Sequence, residues 1–132
     1  MAFHREVGDK ERKQAVHRSI RRHPEGCFAV EVFDNANSPE LRPGDIVVVD
    51  PNAELDAGDF VYIEIRKKTR ERLFRQYREN GGEIRLPPLN RNYRTFRLGA
   101  PGEPQVAILG KVIELFRSFL PPATSGANAA AA

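Results

Sequence analysis

The sequence predicts a mostly β fold, a barrel or sandwich of about seven short strands with one N-terminal helix. Three observations carry the prediction. Ten Pro and ten Gly divide 132 residues into short apolar runs, which suits strands and turns better than long helices. Several of those runs alternate apolar and polar residues with the period of a strand. Only one stretch, near the start, has the spacing of a helix. With 40% hydrophobic and 30% charged residues, the composition is that of one soluble domain with a core of its own.

The elements follow in order. Residues 1–8 show no periodicity and are expected to be loose. From Asp9 to about His23 the pattern predicts a helix, which Asp9 can cap and Pro24 must end. Its apolar face is only Ala15, Val16 and Ile20, so it needs a surface to lie on. Glu25-Gly26 marks a boundary. Cys27 to Phe33 reads as a strand, with Phe28, Val30 and Val32 on one face. A polar elbow, 34–41, leads into the turn Arg42-Pro43-Gly44-Asp45. Ile46 to Val49 is β-branched or apolar throughout and fits a strand buried on both faces.

A loop closed by Ala57-Gly58-Asp59 repeats the Pro43-Gly44-Asp45 signal before the next apolar strand, Phe60 to Arg66. Lys67-Lys68-Thr69-Arg70 reads as a hairpin tip. Arg72 to Arg78 reads as one strand, with Leu73, Arg75 and Tyr77 on one face. Asn80-Gly81-Gly82 supplies a tight turn into Glu83 to Leu86. Pro87 to Tyr93 is an irregular loop, and Thr95 to Leu98 a short strand. Val106 to Phe116 is the longest apolar run, with Gly110 marking a bend or bulge. The expected organisation is therefore a basic arm or helix over 1–26, a β domain over 27–118 and a disordered tail over 119–132, where no residue can build a core.

Composition also excludes function classes. No apolar run is long enough to cross a bilayer. A polar, charged N-terminus carries no secretory signal, and the single cysteine, Cys27, rules out an internal disulfide. A cytoplasmic location fits. His17 and His23, six residues apart, do not share a helix face for a metal, and no cofactor is expected. The net charge of +3 is unevenly placed: residues 1–26 hold seven bases and four acids, and the rest of the chain is balanced. Lys13, Arg18, Arg21 and Arg22 are the candidate nucleic-acid contacts there. A solvated helix face is the plainer reading. A second basic cluster, Arg66 to Arg78, has Phe74 and Tyr77 interleaved and could serve single strands, although Glu64, Glu71 and Glu79 dilute it.

The elbow and its flanks resemble the self-cleaving repressor peptidase domain, the family of LexA, UmuD and the C-terminal halves of lambda-type phage repressors, which shares its core with signal peptidase. The family pattern Gly-Asp-Ser-Met-x-Pro-x-Leu-x-x-Gly-Asp is followed without a gap by Asp34-Asn35-Ala36-Asn37-Ser38-Pro39-Glu40-Leu41-Arg42-Pro43-Gly44-Asp45. Its second Gly-Asp turn matches Gly58-Asp59, and its Val-Lys-Arg-Leu strand matches Phe74-Arg75-Gln76-Tyr77. The loop Leu86 to Tyr93 and the closing Gly110-Lys111-Val112 also fall in place. The similarity covers roughly residues 26–117, and it is the order and spacing of the motifs that is specific.

In that family a serine attacks a peptide carbonyl and a neutral lysine takes its proton. The resemblance puts Ala36 at the serine position and Arg75 at the lysine position. A methyl group is no nucleophile, and a guanidinium stays protonated, so the pair as written is inert. Three readings stay open: a natural non-peptidase, a trap made by changing Ser to Ala, and catalysis through Ser38, the only nearby hydroxyl. The resemblance also implies a homodimer through the last strand, here Val106, Ile108, Val112, Ile113 and Phe116. It implies a role as the dimerisation and regulatory module of a bacterial or phage transcription regulator, with a related repressor chain or a RecA-like filament as partner. No membrane partner is expected. The residues before Cys27 are too few for the family's helix-turn-helix, and Val7-Gly8 is the only upstream pair that fits its cleavage site.

Overall fold

The run of apolar residues near the C-terminus forms a single long strand, Gln105–Ser118, and the rest of the fold is laid against it. The structure is a computed structural model that describes residues 3–7 and 9–118. In chain order the elements are β1 Phe3–Val7, α1 Asp9–Arg22, β2 Phe28–Glu31, β3 Ile46–Asp50, β4 Phe60–Arg66, β5 Glu71–Gln76, β6 Arg78–Asn80, β7 Glu83–Leu86, β8 Phe96–Arg97 and β9 Gln105–Ser118. The predicted mostly β fold with one helix is what forms.

The larger sheet runs β2-β3-β9-β4-β5, and β1 also pairs with β9. β4 pairs antiparallel with the first half of β9, from Gln105 to Lys111, and β3 with the second half, from Lys111 to Phe116. Both meet at Lys111, so they lie on opposite edges of β9. The small sheet is β6-β7-β8. Gly110 does mark an irregularity, because the β4–β9 register slips between Tyr62 and Ile63 beside it. A Cβ at Gly110 would come 2.5 Å from Val49 Cγ1 and 2.9 Å from the Asp50 carbonyl oxygen, so only glycine lets β3 approach.

Alternation along the strands divides the apolar residues into three clusters. Val47, Val49, Phe60, Phe74, Leu115 and Val112 fill one, together with Val32 and Leu41 from the elbow's two ends. Val61, Ile63 and Ile65 face the other way and meet Tyr77, Leu86 and Phe96. The third lies under α1, where Ala15 and Val16 cover Val48 and Phe116. The thin apolar face of the helix thus finds its surface on β3 and β9. Ser19 and His23 add polar contacts there: Ser19 Oγ donates to Glu114 Oε1, and His23 Nε2 lies 2.9 Å from the same oxygen.

Two expectations are corrected. Residues 3–7 are not loose but form β1, parallel to β9 from Glu114 to Ser118; that pairing is made by main chain and leaves no pattern in side chains. Arg72 to Arg78 is not one strand. Tyr77 N donates to the Asp59 carbonyl at 2.7 Å, and the Tyr77 carbonyl accepts from Gly58 N at 2.8 Å. The chain is held there by a turn and passes from one sheet to the other, so β5 ends at Gln76 and β6 starts at Arg78. These two changes make nine strands of the expected seven among the described residues. The expected tail, 119–132, and Gly8 of the Val7-Gly8 pair lie outside the described residues.

Candidate functional site

The elbow between β2 and β3 is fixed at both ends. Val32 N donates to the Asp45 carbonyl, and Gly44 N donates to the Val32 carbonyl, each at 2.8 Å. Within it, Asp34 Oδ1 accepts from Ala36 N at 3.0 Å, an Asx-type turn that suits a short polar side chain. Ala36 is completely buried. Its carbonyl accepts from Asn90 N at 2.8 Å, which ties the elbow to the loop after β7.

Asn37 makes the tie to β5. Its side chain is 2% exposed, its Nδ2 donates to the Phe74 carbonyl at 2.8 Å, and its Oδ1 accepts from Leu89 N at 3.3 Å. Arg75 is the next residue after Phe74 and is 3% exposed. Its Nη1 donates to the same Phe74 carbonyl at 2.8 Å, and its Nε donates to the Arg94 carbonyl at 2.9 Å. The guanidinium carbon lies 5.9 Å from the Tyr93 ring centre and 5.5 Å from that of Phe96. Burial pulls the Arg75 pKa down from its ordinary value, while the charges of Asp34 and Tyr93 push it back up. The carboxylate that anchors the Ala36 turn is thus also one that Arg75 senses. Asn37, the neighbour of Ala36, and Arg75 meet at the Phe74 carbonyl, and Asp34 acts on both Ala36 and Arg75.

Ser38 faces differently. Its hydroxyl lies 3.1 Å from Asn35 Oδ1 and 3.4 Å from the Leu41 carbonyl, both acceptors. No base among the described residues contacts it. Beside the elbow a groove of about 480 Å3 is lined by Glu40, Asp59, Gln76, Leu89 and Lys111, among others. Phe33, at the start of the elbow, is 79% exposed, and Leu89 is exposed on the loop that Asn37 holds. Among the described residues no three His, Cys, Asp or Glu side chains converge on a metal-sized point.

An elbow after an apolar strand, pinned to β5 next to its basic residue, is the arrangement found. Residues 2–113 match the family model described as Peptidase S24-like. The chain belongs to that family. Similar proteins include the LexA repressors of two Cereibacter sphaeroides strains, each 32% identical over 93 residues, which is 70% of this chain and 39% of the relative. The chain therefore spans about two fifths of the length of those relatives.

In this S24-like domain the apolar residues of β9 are divided. Val106 and Ile108 pack in part against the second cluster and Ile113 against the helix-covered one. Val112 and Phe116 are filled over by the chain's own cores, at 5% and 1% exposure. Those two side chains are buried, while Val106, Ile108 and Ile113 stay half-buried. β9 also offers backbone: from Gln105 to Leu109 it pairs with β4 on one edge, and among the described residues no strand takes the other. Lys13, Arg18, Arg21 and Arg22 are exposed on α1. Among the described residues no helix is long and apolar enough to cross a membrane. Sequence reading missed the clamp made by Asn37. The one signal for it was an amide where the family pattern has an apolar Met.

Proposed function

We propose that this S24-like chain keeps the peptidase scaffold without the cleavage reaction and acts as the self-associating regulatory module of a bacterial or phage transcription regulator. The observation that carries the reading is the juxtaposition of buried Ala36 with buried Arg75. The reading takes these as the places where the family's serine and lysine stand. A methyl group cannot attack a carbonyl. A guanidinium bonded to two main-chain carbonyls cannot take a proton at any pH the fold survives. The Peptidase S24-like match and the similarity to LexA repressors support the regulatory side of the proposal.

Self-association is assigned to the open edge of β9, Gln105 to Leu109, where a second copy can add a strand by main-chain pairing. Light scattering on the purified protein tests this, and a strict monomer at high concentration counts against it. Intact mass after alkaline incubation tests the lost reaction. The mass stays constant on this reading, and release of a fragment ending near Val7 overturns it. The double variant Ala36→Ser with Arg75→Lys is the positive control. Cleavage in that variant alone identifies the two positions as the family's pair.

A working peptidase that uses Ser38 is the second reading. The carboxamide and carbonyl acceptors around the Ser38 hydroxyl speak against it, because neither is a base of useful strength. If the wild-type chain does cut itself, Ser38→Ala abolishing the cut is the result that would establish this reading.

A further inference from the structure

The sequence holds two basic clusters, and the fold pairs them to different extents. At the β4–β5 hairpin four of five bases meet a carboxylate, and Lys68 does not among the described residues. Glu64, itself 2% exposed, takes Arg66 at 2.9 Å, Arg72 at 3.1 Å and Arg70 at 3.6 Å, while Glu71 takes Lys67 at 3.8 Å. On α1 the charge is left outward. The helix carries six bases (Lys10, Arg12, Lys13, Arg18, Arg21 and Arg22) against Asp9 and Glu11. Arg12 turns inward and donates to the Gly44 carbonyl at 2.5 Å. The other five are exposed, and among the described residues none of them pairs with a carboxylate.

Their placement follows from which face is buried. Ala15, Val16 and Ser19 point into the protein, so at 100° per residue the opposite face is centred on Lys10, His17 and Arg21, with Lys13 and Arg18 on its flanks. The centre of that face has no acid, and Glu11 lies at its edge beside Arg18. It runs about 16 Å along the helix axis from Lys10 to Arg21. We infer that this stripe is a docking surface for the phosphate backbone of double-stranded nucleic acid, read without regard to sequence.

The chemistry selects that occupant. Residues 10–22 contain no Phe, Tyr or Trp, and the single imidazole of His17 is a poor platform for successive stacked bases. The apolar side of α1 is spent on Val48 and Phe116, so the helix cannot sink into a lipid interface. What remains is a rigid row of cations, which suits the dense, regular charge of a duplex. The inference concerns α1 alone and does not depend on the state of the Ala36–Arg75 site.

The test is fluorescence anisotropy of a labelled duplex of about 20 base pairs of arbitrary sequence, titrated with the full chain. Binding of tens of micromolar at 50 mM salt is expected, weakening about forty-fold by 200 mM if about three phosphates are neutralised. The triple variant Lys13→Glu, Arg18→Glu, Arg21→Glu changes only exposed positions. It should keep the wild-type melting curve and lose the binding and its salt slope. The variant Lys67→Glu, Lys68→Glu at the hairpin should leave both unchanged. No duplex binding at 50 mM salt with about 100 µM protein overturns the inference, as does a hairpin variant that loses as much as the helix variant. Retention on anionic phosphatidylserine vesicles without duplex binding overturns it in favour of a lipid surface.

Discussion

Two turns in this domain have the same local design and different weight. In the first, Gly44 has φ 93° and in the second Gly58 has φ 94°. Asp45 N donates to the Arg42 carbonyl at 3.0 Å, and Asp59 N donates to the Asp56 carbonyl at the same distance. Each aspartate then accepts from the backbone N–H three residues earlier, Arg42 N to Asp45 Oδ2 and Asp56 N to Asp59 Oδ2, both at 2.7 Å. Each turn is laced by two main-chain bonds to the residue just after an edge strand, Val32 after β2 and Tyr77 after β5. Each aspartate meets a base from β9. The larger sheet is thus two similar hairpins, one on either edge of β9.

The difference lies in burial. Asp45 is 1% exposed and is gripped by Arg117, whose Nε and Nη2 donate to the two carboxylate oxygens at 2.8 Å each. Asp59 meets only Lys111, at 3.2 Å, and both side chains are 24% exposed. The first turn closes the elbow that carries Ala36, and the second borders the open groove. A repeated sequence signal therefore marks a repeated backbone shape, but the energy stored at each copy is set by what the rest of the fold packs over it.

Substitutions can break or sharpen that contrast. Asp45→Ala removes the carboxylate opposite the mostly buried Arg117 and should cost about 3–5 kcal/mol, measured by urea unfolding. If it costs no more than the Asp59 change, the contrast is lost. Gly110→Ala strikes the point where the two hairpins share β9. With a Cβ 2.9 Å from the Asp50 carbonyl oxygen it should cost about 1–3 kcal/mol. Gly44→Ala and Gly58→Ala should each cost about 1–2 kcal/mol, because both force a side chain into the left-handed region, and near-equality of the two would confirm that the backbone shapes are equivalent. Asp59→Ala should cost about 1 kcal/mol or less, and raising the salt concentration should narrow the gap further.

The same contrast explains what could be read in advance. Strands such as Phe60–Arg66 were legible because a period of two is written into the side chains and both faces are used. The ends of Arg72 to Arg78 were not, because Tyr77 is pulled out of line by a turn far back in the sequence, through bonds that any residue type could make. β1 was invisible for the same reason. At the site, Ala36 and Arg75 were found through the order of motifs around them. Asn37 was missed because an amide's use depends on what lies opposite, here a carbonyl of β5. Val112 and Phe116 show the converse limit: an apolar side chain looks the same in sequence whether it meets its own core or another molecule.

The position of β9 at the centre of the sheet has a further consequence for how the protein is made. β3 and β4 are synthesised well before the strand that joins them, so in a nascent chain neither has its backbone partner in the sheet until residues 105–118 leave the ribosome. Closure of the sheet waits for its last piece, and a chain that ends upstream of Gln105 has no strand to set between β3 and β4.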